Sequence, residues 1–239
     1  MLIEFSYSLD PKEIVMPGDI APPEVRPRSR MVQGPAPGEE GRGVRWGSYN
    51  NTSIVEFFVH TGTHIDVPFH VSPEALKLED FEISDFVFDK PLLLEIPKGD
   101  MERISVEDLK PSEARLAESD LLLVYTGFSE VRKTDPKRYV AGQPSFSVDA
   151  AHYLVDNFNL RGVGVDLIGI ENIPEAKGLS PQFPVHKTFL LKKKRRFLLV
   201  EDANLAPLVG RTISRAYVIP LRLFGLEAMP VTAFADVED

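Results

Sequence analysis

The 239-residue sequence contains no cysteine. Disulfides, thiolate metal ligands and a cysteine nucleophile are therefore excluded, and a reducing compartment suits the chain. It has no uncharged apolar run as long as a membrane span. Its first residues, MLIEFSYSLD, lack the basic-then-apolar order of a secretory leader. Basic residues are also short: 27 Lys and Arg stand against 36 Asp and Glu, for a net charge of −9. A surface built for phosphate needs the opposite balance. These absences lead to the expectation of a cytoplasmic protein that acts on a small molecule, with neither membrane nor nucleic acid as partner.

What is present suggests one α/β domain over residues 1–239, long enough for a core that needs no staple. Residues 1–50 are rich in proline and glycine, which break helices and keep to sheet edges and turns. They read as a surface arm, or as one packed over a pocket or onto a neighbouring subunit. From Thr52 the pattern turns to strand, in TSIVEFF and VHTGTHIDV. Short apolar runs at 91–96, 121–126 and 163–168 read as buried strands. Helical patterns lie between them. One is capped by Ser105 with an acid three residues on, and another starts near Ser147. Strand and helix in alternation imply a mixed or largely parallel sheet. FLLKKKRRFLLVED reads as two strands joined by a basic turn, and the tail as further strand broken at Gly225 and Pro230.

The chemistry concentrates in HTGTHIDVPFH, residues 60–70, which hold three of the five histidines. Side chains alternate along a strand, so His60, Gly62, His64 and Asp66 would share one face. The opposite face, with Val59, Thr61, Thr63, Ile65 and Val67, suits a core. A helix would also bring His60 near His64, but Gly62, the β-branched residues and Pro68 oppose it. Two imidazoles and a carboxylate form a ligand set for a catalytic divalent cation with a position left open. The nitrogen and oxygen donors admit zinc, manganese or iron. Such a cation lowers the pKa of its water toward neutrality. His70, beyond Pro68, is placed to shuttle protons.

HTGTHIDVPFH also fits H-x-G-T-H-x-D-x-P-x-H at each fixed position. The chain thereby resembles the cyclase-like metal-dependent hydrolases, a family that includes bacterial kynurenine formamidase and isatin hydrolase. SLDPKEIVMPGDIAPP, TGF at 126–128, the stretch from Tyr139 to Pro144, GVGVD at 162–166 and VHKTFLL at 185–191 extend the resemblance in order. It implies a swivelling β/β/α fold, assembled as a homodimer or homotetramer. It implies His60, His64 and Asp66 as ligands of a first metal and His70 as the catalytic histidine. His186 and Glu201 would join Asp66 at a second metal, so one or two ions are expected, zinc first and manganese as the alternative. Met16 and Phe128 stand where the family often carries an aromatic and a tryptophan, at substrate-binding positions. The implied reaction is hydrolysis of a carbon–nitrogen bond, with an arylformamide such as N-formylkynurenine as the leading substrate. The alternatives are a cyclic amide or lactone hydrolase of the isatin hydrolase type, and a metal-binding protein without turnover.

The remaining candidates read more plainly. Asp202 is the rival of Glu201 on the opposite face. Glu171 follows a strand end, where α/β proteins place ligands, although a surface loop is its expected home. His152 sits in a helical pattern at the surface or core edge. The basic cluster at 192–196 reads as a solvated turn in preference to an anion site, and Trp46 and Tyr49, before the strands, as packing residues in preference to a place at the pocket mouth.

Overall fold

The apolar runs at 91–96, 121–126 and 163–168 lie side by side as parallel strands in the computed structural model. It describes residues 1–12, 15, 20–27, 30–33, 47–50, 53–192 and 196–238. Among the described residues the main sheet has nine strands. In chain order they are β1 (Leu2–Glu4), β2 (His64–Asp66), β3 (Val87–Phe88), β4 (Pro91–Glu95), β5 (Leu121–Tyr125), β6 (Gly162–Val165), β7 (Leu198–Glu201), β8 (Ile213–Pro220) and β9 (Ala228–Val237). Neighbours run β3-β8-β9-β2-β7-β6-β5-β4, and β1 is added to β9. Pairing is parallel from β7 to β4 and antiparallel elsewhere. The two ends of this path, β3 and β4, are separated in sequence only by Asp89 and Lys90, so the sheet curls until it is nearly closed.

Alternation along the strands splits the core in two. Leu121, Leu123, Leu198, Val200, Ile65 and Met229 pack inside the curl. Leu122, Val124, Val163, Val165 and Leu199 face outward and meet the helices through Ala150, Leu154 and Phe189. The GVGVD run has its valines outside and its glycines inside. A Cβ on Gly164 would lie 2.7 Å from the Leu123 side chain, so any larger residue there would have to push that leucine aside in a crowded interior. Helices against the parallel half and antiparallel strands closing the other make this the swivelling β/β/α fold.

Two helices matter for the site. In α1 (Val148–Asn157) the Ser147 side chain accepts from the Ala150 N–H, as its sequence suggests. The Ser105 capping box is formed too, with Asp108. The second, α2 (Pro184–Leu191), corrects the expectation of a strand before the basic turn. A short apolar run does not distinguish strand from helix by itself. Here Pro184 sits in the first turn, where its fixed φ favours helix, and Val185 and Phe189, four apart, bury one face.

Three smaller readings change as well. His60 is not in a strand: Gly62 has φ +61°, a left-handed turn, so the regular strand begins only at His64. The tail is broken over 221–227, whereas Pro230 lies within β9 opposite His64. The described parts of the first fifty residues are more than an arm. Residues 2–4 complete the main sheet, and Glu24–Pro27 pairs with Ser53–Glu56 as Arg30–Gln33 does with Gly47–Asn50. Met16, Trp46 and the centre of the basic cluster lie outside the described residues, as does the Tyr49 side chain. Among the described residues no helix is long and apolar enough to cross a membrane.

Candidate metal centre

The site is built where β2 meets β7. Their antiparallel register sets Glu201 directly opposite His64 and Leu199 opposite Asp66. Since Ile65 and Val200 point into the curl, His64, Asp66 and Glu201 share the outward face. Three non-strand segments complete it. The Gly62 turn brings back His60, the 3-10 turn Pro68–Val71 brings His70, and the first turn of α2 brings His186.

Four of the five histidines converge on one carboxylate. His60 Nδ1 lies 2.9 Å and His64 Nε2 3.5 Å from Asp66 Oδ1. His70 Nε2 and His186 Nε2 each lie 3.8 Å from Asp66 Oδ2. Glu201 approaches His64 Nε2 at 3.4 Å and His186 Nε2 at 3.2 Å. The His60 and His70 ring centroids are 4.5 Å apart, and those of His70 and His186 are 5.6 Å apart. Two sets of potential ligand atoms, each within a 4.8 Å span, share Asp66: His60, His64 and Asp66, and Asp66, His70 and His186.

The outer nitrogens fix the rings. His64 Nδ1 is 2.8 Å from the Gly62 carbonyl, which only accepts, so Nδ1 carries the proton and the Nε2 lone pair faces inward. His186 Nδ1 is 2.6 Å from Glu171. The same Glu171 carboxylate accepts from the Val185 and His186 backbone N–H groups, both at 3.0 Å, and so caps α2. Glu171 is thus buried behind the site and not on a surface loop. Its place after the end of β6 was the available signal. Glu227, 3.6 Å from His60 Nε2, is a second acid that the sequence did not single out. Phe128 is buried in the outer core, stacked on Tyr139 with Arg138 over its ring, and its ring contacts are not with the histidines. His152 is half-buried on α1 beside Lys192.

The Asp66 side chain is 1% exposed, yet neither of its oxygens has a hydrogen bond, and the same holds for His64 Nε2. The close approach of His60 lacks hydrogen-bond alignment. Buried polar atoms without partners are costly, so an arrangement that keeps three of them facing one another fits a bound cation. Electrostatics agrees. Burial pulls the His60 and His186 imidazoles down, but Asp66 on the first and Glu171 and Glu201 on the second carry each up to about 10. Burial raises the Asp66 carboxyl and Glu201, but the surrounding histidines outweigh it and hold Asp66 well below the usual carboxylate range and Glu201 at about 2. The pocket thus pairs ionised carboxylates with imidazoles that attract a proton, a positive charge that a divalent cation would replace. His70 differs: burial lowers its pKa despite Asp66. It is also the most open ring, with its side chain 28% exposed against 12% for His60 and 4% or less for the other two.

The Cyclase family model matches residues 3–172. The chain belongs to the Cyclase family. Among its relatives are an uncharacterized protein of Haemophilus influenzae, 38% identical over 44% of this chain and 75% of its own length, and cyclase-like protein 2 of Arabidopsis thaliana, 29% identical over 77% of this chain. The kynurenine formamidase of Geobacillus thermodenitrificans is 29% identical over 60% of this chain and 63% of its own. The chain spans 65% of the Arabidopsis relative, about two thirds. Its fold is shared with isatin hydrolase A of Labrenzia aggregata bound to benzyl benzoate, with a TM-score of 0.68, 21% identity and coverage of 98% of this chain and 93% of that one. The family match stops before His186 and Glu201, which reach the site through α2 and β7.

This member of the Cyclase family carries a second buried polar cluster next to the first. Asp202, with φ +50°, takes a bidentate pair from Arg132 at 2.8 and 2.7 Å and the Tyr139 hydroxyl at 2.8 Å. Arg132 lies 4.0 Å over the Tyr7 ring. Asp166 accepts from Thr126 N and Oγ1, Gly127 N and Ser129 Oγ. The motif residue Thr63 ties in by accepting from Tyr7 N and donating to the Asp202 carbonyl.

Proposed function

We propose that this chain is a metal-dependent hydrolase that opens a carbon–nitrogen amide bond. The observation that carries this reading is Asp66: a buried carboxylate without a hydrogen bond, ringed by four histidines. His60, His64 and Asp66 would hold one divalent cation, and Asp66, His186 and Glu201 a second. A cation so held polarises the substrate carbonyl and makes water acidic enough to yield a nucleophile near neutral pH. The mixed nitrogen and oxygen donors suit zinc first and manganese next. His70, the open ring of the four, takes a proton at Nε2 and returns it to the leaving nitrogen. Glu171 and the Gly62 carbonyl hold the rings of His186 and His64 in one tautomer, so their inner nitrogens need no reorganisation.

An arylformamide such as N-formylkynurenine is the first substrate to try, in keeping with the formamidase relative. Hydrolysis of a cyclic amide or lactone is the second, supported by the fold shared with isatin hydrolase over 98% of this chain. The test is metal content together with turnover of N-formylkynurenine by wild type and His70→Ala. The expected result is wild-type turnover abolished by a chelator. For His70→Ala, full metal content and turnover lower by on the order of 10²–10⁴ are expected. Metal lost from His70→Ala would make His70 a ligand in the set with Asp66 and His186. Bound metal with turnover of neither amides nor lactones would leave a binding protein.

A further inference from the structure

A cleft of about 440 Å³ opens beside His70, with Phe69, Gln182, Phe183 and Lys187 among its lining residues. That is a volume suited to a small organic ligand. Its lining includes no Asp or Glu, although the chain as a whole carries 36 of them against 27 basic residues. Its one ionised side chain is Lys187, half-buried and one residue beyond His186 on α2. Among the described residues Lys187 faces no carboxylate within ion-pair distance, unlike Lys98 with Asp108 or Lys192 with Asp156. A second cation, Lys77, has its Nζ 4.9 Å from the centroid of Phe69. Phe183 holds φ +54°, a left-handed conformation that is costly for a bulky residue. Strain of this kind gathers where a side chain must be presented, and here the Phe183 ring stands edge-on to His186 at 5.6 Å. A larger groove of about 470 Å³, lined by Pro68, Glu74, Leu190 and Leu191 among others, includes no residue of the histidine cluster.

We propose that the cleft takes an aromatic substrate bearing a carboxylate, and that Lys187 binds that carboxylate while Phe69 and Phe183 flank the ring. This rests on the hydrolase reading for the identity of the scissile bond, but the binding claim does not. A lysine that lines an acid-free cleft, with no carboxylate in ion-pair distance among the described residues, leaves its charge available to an anionic ligand. With the carboxylate on Lys187, the amide of the same ring is directed toward His70, which lines the same cleft.

Two measurements test this. The first is calorimetric titration of benzoate into chelator-treated wild type, Lys187→Met and Lys187→Arg, where no metal can capture the carboxylate. Wild type should bind benzoate with an affinity that falls with added salt. Lys187→Met should bind about tenfold more weakly, the loss for one charge-assisted contact, and Lys187→Arg should recover most of it. Equal affinities of wild type and Lys187→Met, or no binding by wild type, would overturn the proposal. The second compares 2-formamidobenzoate with formanilide on the metal-loaded protein. The ratio of their kcat/KM values should favour the carboxylate in wild type and fall about tenfold in Lys187→Met. An unchanged ratio overturns the role of Lys187. If wild type cleaves neither amide, the arylformamide reading fails, and the benzoate titration still decides the lysine.

Discussion

Glu201 and Asp202 are adjacent in the chain, and each anchors a buried polar cluster of a different kind. On the Asp202 side every acceptor is matched: Arg132 reaches both carboxylate oxygens, Tyr139 adds a third donor, and the nearby Asp166 takes four. The Glu201 side is open, because both Asp66 oxygens and His64 Nε2 are buried without a hydrogen bond. Both regions sit at the ends of well-packed strands, so poor packing does not explain the contrast. Nor does charge, since each centres on carboxylates. A cluster whose donors match its acceptors one for one holds chain segments together. A cluster in which unpaired donor atoms face a common point gains stability when a cation sits there.

The largest effect is expected at Asp66. Asn preserves its shape but removes the charge that draws the histidines, so Asp66→Asn should retain almost no metal by elemental analysis. Wild type should gain roughly 2.7 kcal/mol of stability from metal at a hundred times its Kd. The variant should show no metal-dependent rise in Tm at all. Stoichiometric metal in Asp66→Asn would mean that the open cluster is not organised by that residue.

Arg132→Met should show the opposite pattern. Removing one partner of a buried pair leaves the Asp202 carboxylate without its counter-charge, which costs about 3–5 kcal/mol. For a domain of this size that lowers Tm by roughly 6–20 °C. Metal content should stay at the wild-type level. If metal is lost together with stability, the two clusters form one unit, and the division between holding and binding collapses.

The two clusters are not equally legible in the sequence. Residues 60–70 announce the open one, because a ligand site concentrates rare side chains over a short span. His60, His64, Asp66 and His70 stand out from the sequence alone, and the resemblance at VHKTFLL, 185–191, adds His186. The strand parity that groups His60 with His64 is nonetheless wrong in mechanism: the turn at Gly62, not a shared face, returns His60 to Asp66. The closed cluster is invisible at that level. Tyr7, the Arg132–Tyr139 stretch and Asp202 come from three distant parts of the chain, and although Tyr139 falls in the resemblance and Asp202 stands as the rival of Glu201, nothing local joins them into one cluster. Glu171 falls between these cases. Its position after β6 is suggestive, but its burial depends on α2 docking over it, and the end of α2 reads as a strand because the FLL run before the basic turn is short and apolar.

Glu171 belongs to both descriptions, and its substitution gives the smallest and sharpest effect. Its carboxylate accepts three hydrogen bonds, from Val185 N, His186 N and His186 Nδ1, which is the closed pattern. Yet the third of these orients a ring that faces Asp66 and Glu201, which is the open one. Glu171→Gln keeps one acceptor oxygen and turns an amide N–H₂ toward groups that are themselves donors. If orienting His186 is its main service, metal affinity measured by chelator competition should fall about 10- to 100-fold, as for other outer carboxylates behind a ligating histidine. Tm without metal should then move less than in Arg132→Met. If Tm falls and metal affinity does not, Glu171 acts as a cap for α2 alone, and His186 holds its orientation through the packing of that helix.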